Sequence, residues 1–236
     1  MAKPTFRAKQ FTIQQDRCAQ KVSTDGVLFG SWIDFGGAKQ ILDIGTGTGL
    51  LALIAAQRNE NAQIDAVEID PEAADQALEN VKDSRWLERV AVHCKDVRLY
   101  EPDQRYDLII CNPPYYANYL SSPDPLNNIA KHSNELRFPD LLEAVNRLLT
   151  KDGRFCVIIP INRENDLLAV ATRYGLDPTR RSTVSYVLAD PPKRLILELD
   201  RSGKPLMEEP IIIQASGPFD YSAQYRAMIS DLMIGF

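Results

Sequence analysis

Ile41-Leu42-Asp43-Ile44-Gly45-Thr46-Gly47-Thr48-Gly49 is the stretch that decides the fold. Its apolar start predicts a buried strand, and glycines at alternate positions let the chain turn sharply from that strand into a helix. Leu50 to Arg58, rich in Ala and Leu, supplies the helix. The same alternation continues downstream. Gln63 to Glu68 reads as a second strand, and Pro71 opens a helix to about Lys82, because proline is well suited to a first helical position. Arg89 to Cys94, Tyr106 to Cys111 and Arg154 to Ile159 follow as the third, fourth and fifth strands. Short apolar runs alternating with helical patterns predict a doubly wound α/β domain with a mainly parallel sheet.

Between the fourth and fifth strands lies a polar stretch, residues 116–137, with no clear period and with Pro123 and Pro125 inside it. A loop that long within a compact domain usually serves as a lid or a binding loop, so a substrate loop is expected there. Phe138 to Leu149 is then helical, Asp152-Gly153 reads as a turn, and Glu164 to Tyr174 is helical again. Val184 to Leu188 and Arg194 to Leu199 predict two strands joined through Ala189-Asp190-Pro191-Pro192-Lys193, and Tyr221 to Met233 a final helix. With no internal repeat and no low-complexity linker, residues 1–236 are expected to form one domain.

The 236 residues are 44% hydrophobic, enough for one well-buried core. No apolar run is long enough to span a membrane, and the first residues lack the apolar core of a signal peptide. Cys18, Cys94, Cys111 and Cys156 are scattered, and His93 and His132 are the only histidines. Neither zinc nor a disulfide framework is expected; Cys94, Cys111 and Cys156 sit in apolar runs and read as buried thiols of a cytosolic protein. The net charge of −5 argues against a binder held to nucleic acid by charge alone. Residues 1–21 nevertheless carry Lys3, Arg7, Lys9, Arg17 and Lys21 against Asp16 alone, a local +4 that leaves −9 for the remainder. That arm reads either as a solvated tail or as an RNA contact.

On spacing alone, the glycine turn suits a dinucleotide, S-adenosylmethionine, or nothing beyond a tight turn. Asp43, two residues before Gly45, would repel a pyrophosphate but suits a cofactor bearing an ammonium group. Glu68 ends the second strand, where a carboxylate can hold both ribose hydroxyls, and Asp96 follows the third, where it can accept from an adenine amino group. With these residues the chain resembles the class I S-adenosylmethionine-dependent methyltransferases. The resemblance implies that Gly45, Gly47 and Gly49 wrap the methionine end of the cofactor, with Glu68 on the ribose and Asp96 on the adenine. It also implies a Rossmann-like, seven-stranded sheet, mostly parallel with an antiparallel last strand. Lys21-Val22-Ser23-Thr24-Asp25-Gly26 resembles the segment that closes over the amino-acid end of the cofactor in this group, which brings Lys21, Thr24 and Asp25 into the cofactor set. A helix start capped by Ser23 or Thr24 is compatible with that role.

Asn112-Pro113-Pro114-Tyr115, directly after the fourth strand, carries the acceptor chemistry. An asparagine oxygen and a backbone carbonyl can accept from both hydrogens of a planar amino group, and an aromatic ring can stack on its π face. The tetrapeptide is shared by adenine-N6 methyltransferases on DNA or RNA, guanine-N2 enzymes on RNA and glutamine-N5 enzymes on release factors. Asn112 therefore stands in both the catalytic and the cofactor set. Only about 40 residues precede the first strand of the glycine turn, which leaves no room for the helical substrate domain of the glutamine enzymes or the large recognition domain of DNA adenine methylases. From Phe6-Arg7-Ala8-Lys9-Gln10-Phe11 through Arg17 to Lys21, Thr24-Asp25-Gly26 and Asn112 to Tyr116, then Tyr221-Ser222, the chain is similar to the bacterial tRNA1(Val) (adenine(37)-N6)-methyltransferase family. That resemblance implies methylation of the adenine beside the anticodon of a valine tRNA, in the cytoplasm, by a monomer without metal. Arg7, Lys9, Arg17, Lys193 and Arg194 are the expected RNA contacts. A glutamine-N5, ribosomal adenine-N6 or guanine-N2 methyltransferase, a nicotinamide dehydrogenase and a non-catalytic binding module are the competing classes.

Overall fold

The structure, a computed structural model, describes residues 5–18, 20–113, 136–217 and 219–236. Strand β3 (Gln40–Ile44) enters the glycine turn, helix α2 (Leu50–Arg58) leaves it, and β4 (Gln63–Glu68), α3 (Pro71–Lys82), β5 (Val90–Cys94) and β6 (Tyr106–Cys111) follow as the sequence predicts. Each boundary has a local cause. Gly49 sits at φ 83° and starts α2 from the left-handed region. Asp70 caps α3 by accepting from Ala73 N at 2.9 Å, and Pro71 follows it.

Beyond β6, helix α4 (Phe138–Leu148) leads into β7 (Leu149–Pro160), then come α5 (Glu164–Ala171), β8 (Asp177–Val187) and β9 (Arg194–Asp200). The sheet order is β5-β4-β3-β6-β7-β9-β8, with β9 antiparallel to both neighbours and the other pairs parallel. All seven expected strands are therefore present. Two short strands, β10 (Met207–Glu208) and β11 (Ile211–Gln214), add to the outer edge of β8, giving nine among the described residues.

One apolar layer lies between the sheet and α2 and α3, joined by α1 (Thr24–Trp32) and α6 (Ala223–Ile229); α4 and α5 cover the other face. The two layers bury Ile41, Ile64, Leu108 and Ile158 on one side, and Leu42, Val67, Ile109 and Val157 on the other. Successive strand residues thus feed opposite cores, as a sheet covered on both faces requires.

Three readings of the sequence need correction. Residues 5–18 are not a solvated arm: β1 (Thr5–Arg7) and β2 (Thr12–Gln14) form an antiparallel hairpin with Phe11 and Ile13 in the core. Asp152-Gly153 does not end a turn; both lie within β7, in an excursion between the Tyr106↔Leu149 and Leu108↔Arg154 pairs. Cys94 is exposed, because β5 is the sheet edge, whereas Cys18 is buried.

Candidate active site

The chain winds from β3 outward to β5, then returns to place β6 on the other side of β3. Ligands of doubly wound sheets bind where that reversal opens a crevice beyond the carboxyl ends of the strands. Ile44 pairs with both Cys111 and Val67, and Glu68 with Cys94. The glycine turn, Asn112 and Glu68 therefore leave neighbouring strands side by side, with Asp96 two residues beyond β5.

Gly45 and Gly47 have φ of 69° and 56°, and a Cβ built on either would meet nothing within 4 Å. Gly47 N donates to Glu68 Oε2 at 2.9 Å, and Asp70 N to Glu68 Oε1 at 3.0 Å. One carboxylate thus braces the turn and the start of α3 together. A carboxylate offers about four acceptor positions, so both oxygens retain capacity for ribose hydroxyls. Asp96 is more committed. It takes Arg98 N at 2.9 Å and the Arg98 guanidinium through Nε, which holds its carboxyl below the usual carboxylate range.

Asp43 is fully buried; its Oδ2 accepts from Thr46 Oγ1 at 2.6 Å, while Oδ1 has no hydrogen-bond partner among the described residues. Burial pushes its carboxyl up to about 7, against the opposing pull of the Thr46 hydroxyl and with added repulsion from Glu68. A buried carboxylate oxygen without a partner beside an open glycine turn fits a ligand that brings an ammonium group and must approach the backbone closely. S-adenosylmethionine has that chemistry.

Ser23 caps α1 by accepting from Gly26 N at 3.2 Å. A Cβ built on Gly26 would lie 3.7 Å from Asn112 Nδ2 and 3.0 Å from Leu50 Cδ2, so the start of α1 packs onto the acceptor asparagine and the end of the glycine turn. Lys21 and Thr24 are exposed there. Asp25 is buried: Arg194 Nε donates to its Oδ2 at 2.7 Å and the Tyr186 hydroxyl to its Oδ1. Pro113 is buried and Asn112 half-buried; Pro114, Tyr115 and residues 116–135 of the expected substrate loop lie outside the described residues.

The expected RNA contacts divide. Arg7 and Lys193 are exposed. Lys9 and Arg17 are exposed as well, Lys9 donating to Ser230 O at 2.6 Å and Arg17 pairing with Glu79 at the surface, whereas Arg194 holds the buried Asp25. Sequence reading missed Gln76 and Asn80, both buried on α3. Asn80 Nδ2 donates to Gln14 O and Thr48 O, each at 2.9 Å, and its Oδ1 accepts from Gln14 N at 2.7 Å. Gln76 Oε1 accepts from Arg17 N and Cys18 N. The N-terminal hairpin is thereby sewn to the glycine turn. Two amides four residues apart on the apolar stripe of an amphipathic helix were the available signal.

Among the described residues no group of three His, Cys, Asp or Glu is placed to hold a metal ion, and no helix is long and apolar enough to cross a membrane. The crevice and the sheet order around it define a class I methyltransferase fold. A predicted O-methyltransferase from Agrobacterium tumefaciens shares it with a TM-score of 0.70 at 18% identity, covering 88% of this chain and 96% of that one. The ribosomal protein L11 methylase of Lactobacillus delbrueckii subsp. bulgaricus follows with a TM-score of 0.57 at 17% identity, over 80% and 83%. Residues 22–165 match the methyltransferase small domain family. The chain is 38% identical to the tRNA1(Val) (adenine(37)-N6)-methyltransferase of Parabacteroides distasonis, over 99% of both chains, and 40% identical to that of Trichodesmium erythraeum, over 98% of both; it belongs to this family. It is accordingly an enzyme whose methyl donor is S-adenosylmethionine.

Proposed function

We propose that this protein methylates N6 of adenine 37 in the anticodon loop of tRNA1(Val), acting in the cytoplasm as a monomer formed by one domain. The observation that carries the reading is the placement of Asn112 at the switch point, one strand from the glycine turn and packed against the start of α1. Relatives of nearly equal length bear this activity in their names.

S-adenosylmethionine supplies an electrophilic methyl group when bound. Asp43 would face its ammonium end, Gly45, Gly47 and Gly49 would admit it against the backbone, Glu68 would take the ribose hydroxyls, and Asp96 would share its acceptor capacity with the adenine. Lys21 and Thr24 would flank the amino-acid end. Asn112 Oδ1 and the Pro113 carbonyl then accept from the two hydrogens of the substrate amino group. That grip favours a pyramidal nitrogen, turning toward the donor a lone pair otherwise delocalised into the ring. Pro114 stiffens the segment, and Tyr115 stacks on the base. Positioning is most of the catalysis, and the surplus proton leaves after transfer. The target base lies in a loop, so presenting it costs less than extrusion from a duplex. Arg7, Lys9, Arg17 and Lys193, all exposed, are the candidates for phosphate contact, with Arg194, which also holds Asp25, beside them.

Incubation with labelled S-adenosylmethionine and total tRNA, followed by digestion to nucleosides, tests the assignment. The expected label is N6-methyladenosine, lost when adenine 37 of the valine tRNA is replaced. Label in 2-methylguanosine or in release-factor glutamine would overturn it.

A further inference from the structure

β11 runs parallel to β8 with Gln214 opposite Val187, so the ends of both strands emerge together on the rim that carries Asn112. Leu188 leaves β8 at this point 66% exposed. Beside it the turn from Ala215 to Asp220 is closed by Ala215 N donating to Asp220 O at 2.8 Å and tightened by Ser216 Oγ donating to Asp220 Oδ2 at 2.6 Å. That turn holds Phe219 81% exposed at φ 66°, the one non-glycine residue with positive φ among the described residues. A bulky side chain in the left-handed region strains the backbone, and its exposure returns no burial. Folding gains nothing from Phe219.

The surroundings say what does. The Tyr221 ring lies 5.3 Å from Tyr225 and 5.2 Å from Phe236, and the exposed Arg226 guanidinium sits 5.8 Å from both Tyr221 and Phe236. Lys193, also exposed, lies 5.8 Å from the ring of Tyr186. Tyr186 bonds Asp25, and Asp25 adjoins Gly26, which packs on Asn112. Aromatic rings with exposed cations over them, on the rim where β8 and β11 end, suit unpaired bases with their phosphates alongside.

We propose that Phe219, two residues before Tyr221 and its Arg226 partner, is a stacking platform for an unpaired nucleotide of the RNA loop flanking the methylated adenine; this rests on the tRNA reading above. The strained turn is kept because it holds the ring out in solvent, open to a base.

Phe219→Ala, Phe219→Trp and Phe219→Gly, made in the full chain, test it by tRNA binding and methylation kinetics. Alanine and glycine are expected to raise the tRNA Kd and KM by about 5- to 150-fold, the worth of one stacked base, with cofactor affinity unchanged. Tryptophan retains binding. Glycine, which relieves the strain, is expected to raise the melting temperature while tRNA affinity falls, a pairing that a structural role would not give. Unchanged tRNA affinity in both the alanine and glycine variants overturns the proposal. So does a lowered melting temperature in the glycine variant, or a wild-type dimer that these substitutions dissolve with tRNA affinity intact. A wild-type protein that leaves tRNA unlabelled defeats the tRNA reading itself, a result visible before any variant is compared.

Discussion

Glu68 braces Gly47 across 21 positions of sequence, whereas Asp25 meets Tyr186 across 161 and Arg194 across 169. The first contact belongs to the cofactor half of the crevice, built from three consecutive strand ends. The second belongs to the acceptor half, where the start of α1 is held by the hairpin of β8 and β9. Nearby residues made one half; the whole topology had to close before the other existed. The difference teaches where a change should be felt. A substitution in the first half should act on the cofactor rather than the tRNA, and one in the second should act on substrate and stability together.

Asn112 stands on the seam and gives the largest effect. Asn112→Ala is expected to lower the methylation rate by about 10²–10³-fold, the usual cost of one preorganised polar contact. Single-turnover kinetics beside calorimetry with the cofactor would show it; a comparable loss of cofactor affinity would place Asn112 in the first half instead.

Glu68→Ala comes next. Loss of a charge-assisted hydrogen bond costs about 1.5–3 kcal/mol, so cofactor Kd should rise about 10- to 150-fold while tRNA affinity holds. An unchanged cofactor Kd by calorimetry would remove Glu68 from the site and break the division.

For the acceptor half, Arg194→Ala leaves the buried Asp25 carboxylate without its guanidinium. A destabilisation of about 1–3 kcal/mol is expected, seen by thermal melts, with a raised tRNA KM and cofactor Kd within twofold. Tyr186→Phe should do the same more mildly.

The smallest effect is a pH dependence confined to the cofactor half. Asp43 is raised to about 7, so its proton favours the ligand-free fold below the unfolded value near 3.8, and that contribution is lost as pH rises through 7. A bound ammonium group favours the charged carboxylate. Cofactor affinity should therefore weaken by up to about tenfold from pH 8 to pH 6, with proton uptake on release. Asp43→Asn should flatten the profile; a wild-type profile already flat would separate Asp43 from the ammonium.

The same division decides what could be read from the chain. Strands β3 to β6 and the residues at their ends follow local rules: an apolar run, a glycine turn, a proline at a helix start. Gly45, Glu68, Asp96 and Asn112 stand out in the sequence because each ends such a strand or follows it within two residues. The family resemblance of its segment places Asp25 beside the cofactor, but the partners that hold it lie more than 160 residues away, and no local pattern encodes them. The neighbours of the basic residues near the start are also distant in sequence. Counting charge finds Lys9 and Arg17, but not that Lys9 meets Ser230 and Arg17 meets Glu79 at the surface. Asn80 carried a fainter signal, a polar residue on an apolar stripe, whose meaning depended on the hairpin it sews down.

The outer margin of β8 has a consequence for how this protein shares a crowded solution. An eleven-residue strand left bare would present an unpaired row of backbone donors and acceptors to any other chain. Here β10 and β11 cover it in two pieces, with Glu208 ending the first and Glu209 and Pro210 at the break between them. A two-residue strand is too short to template another, acidic side chains repel a copy of themselves, and proline lacks the N–H that a new ladder would need. The interrupted margin is a built-in guard against edge-to-edge aggregation, and Pro210→Val with Glu209→Val would be the pair of changes that opens it.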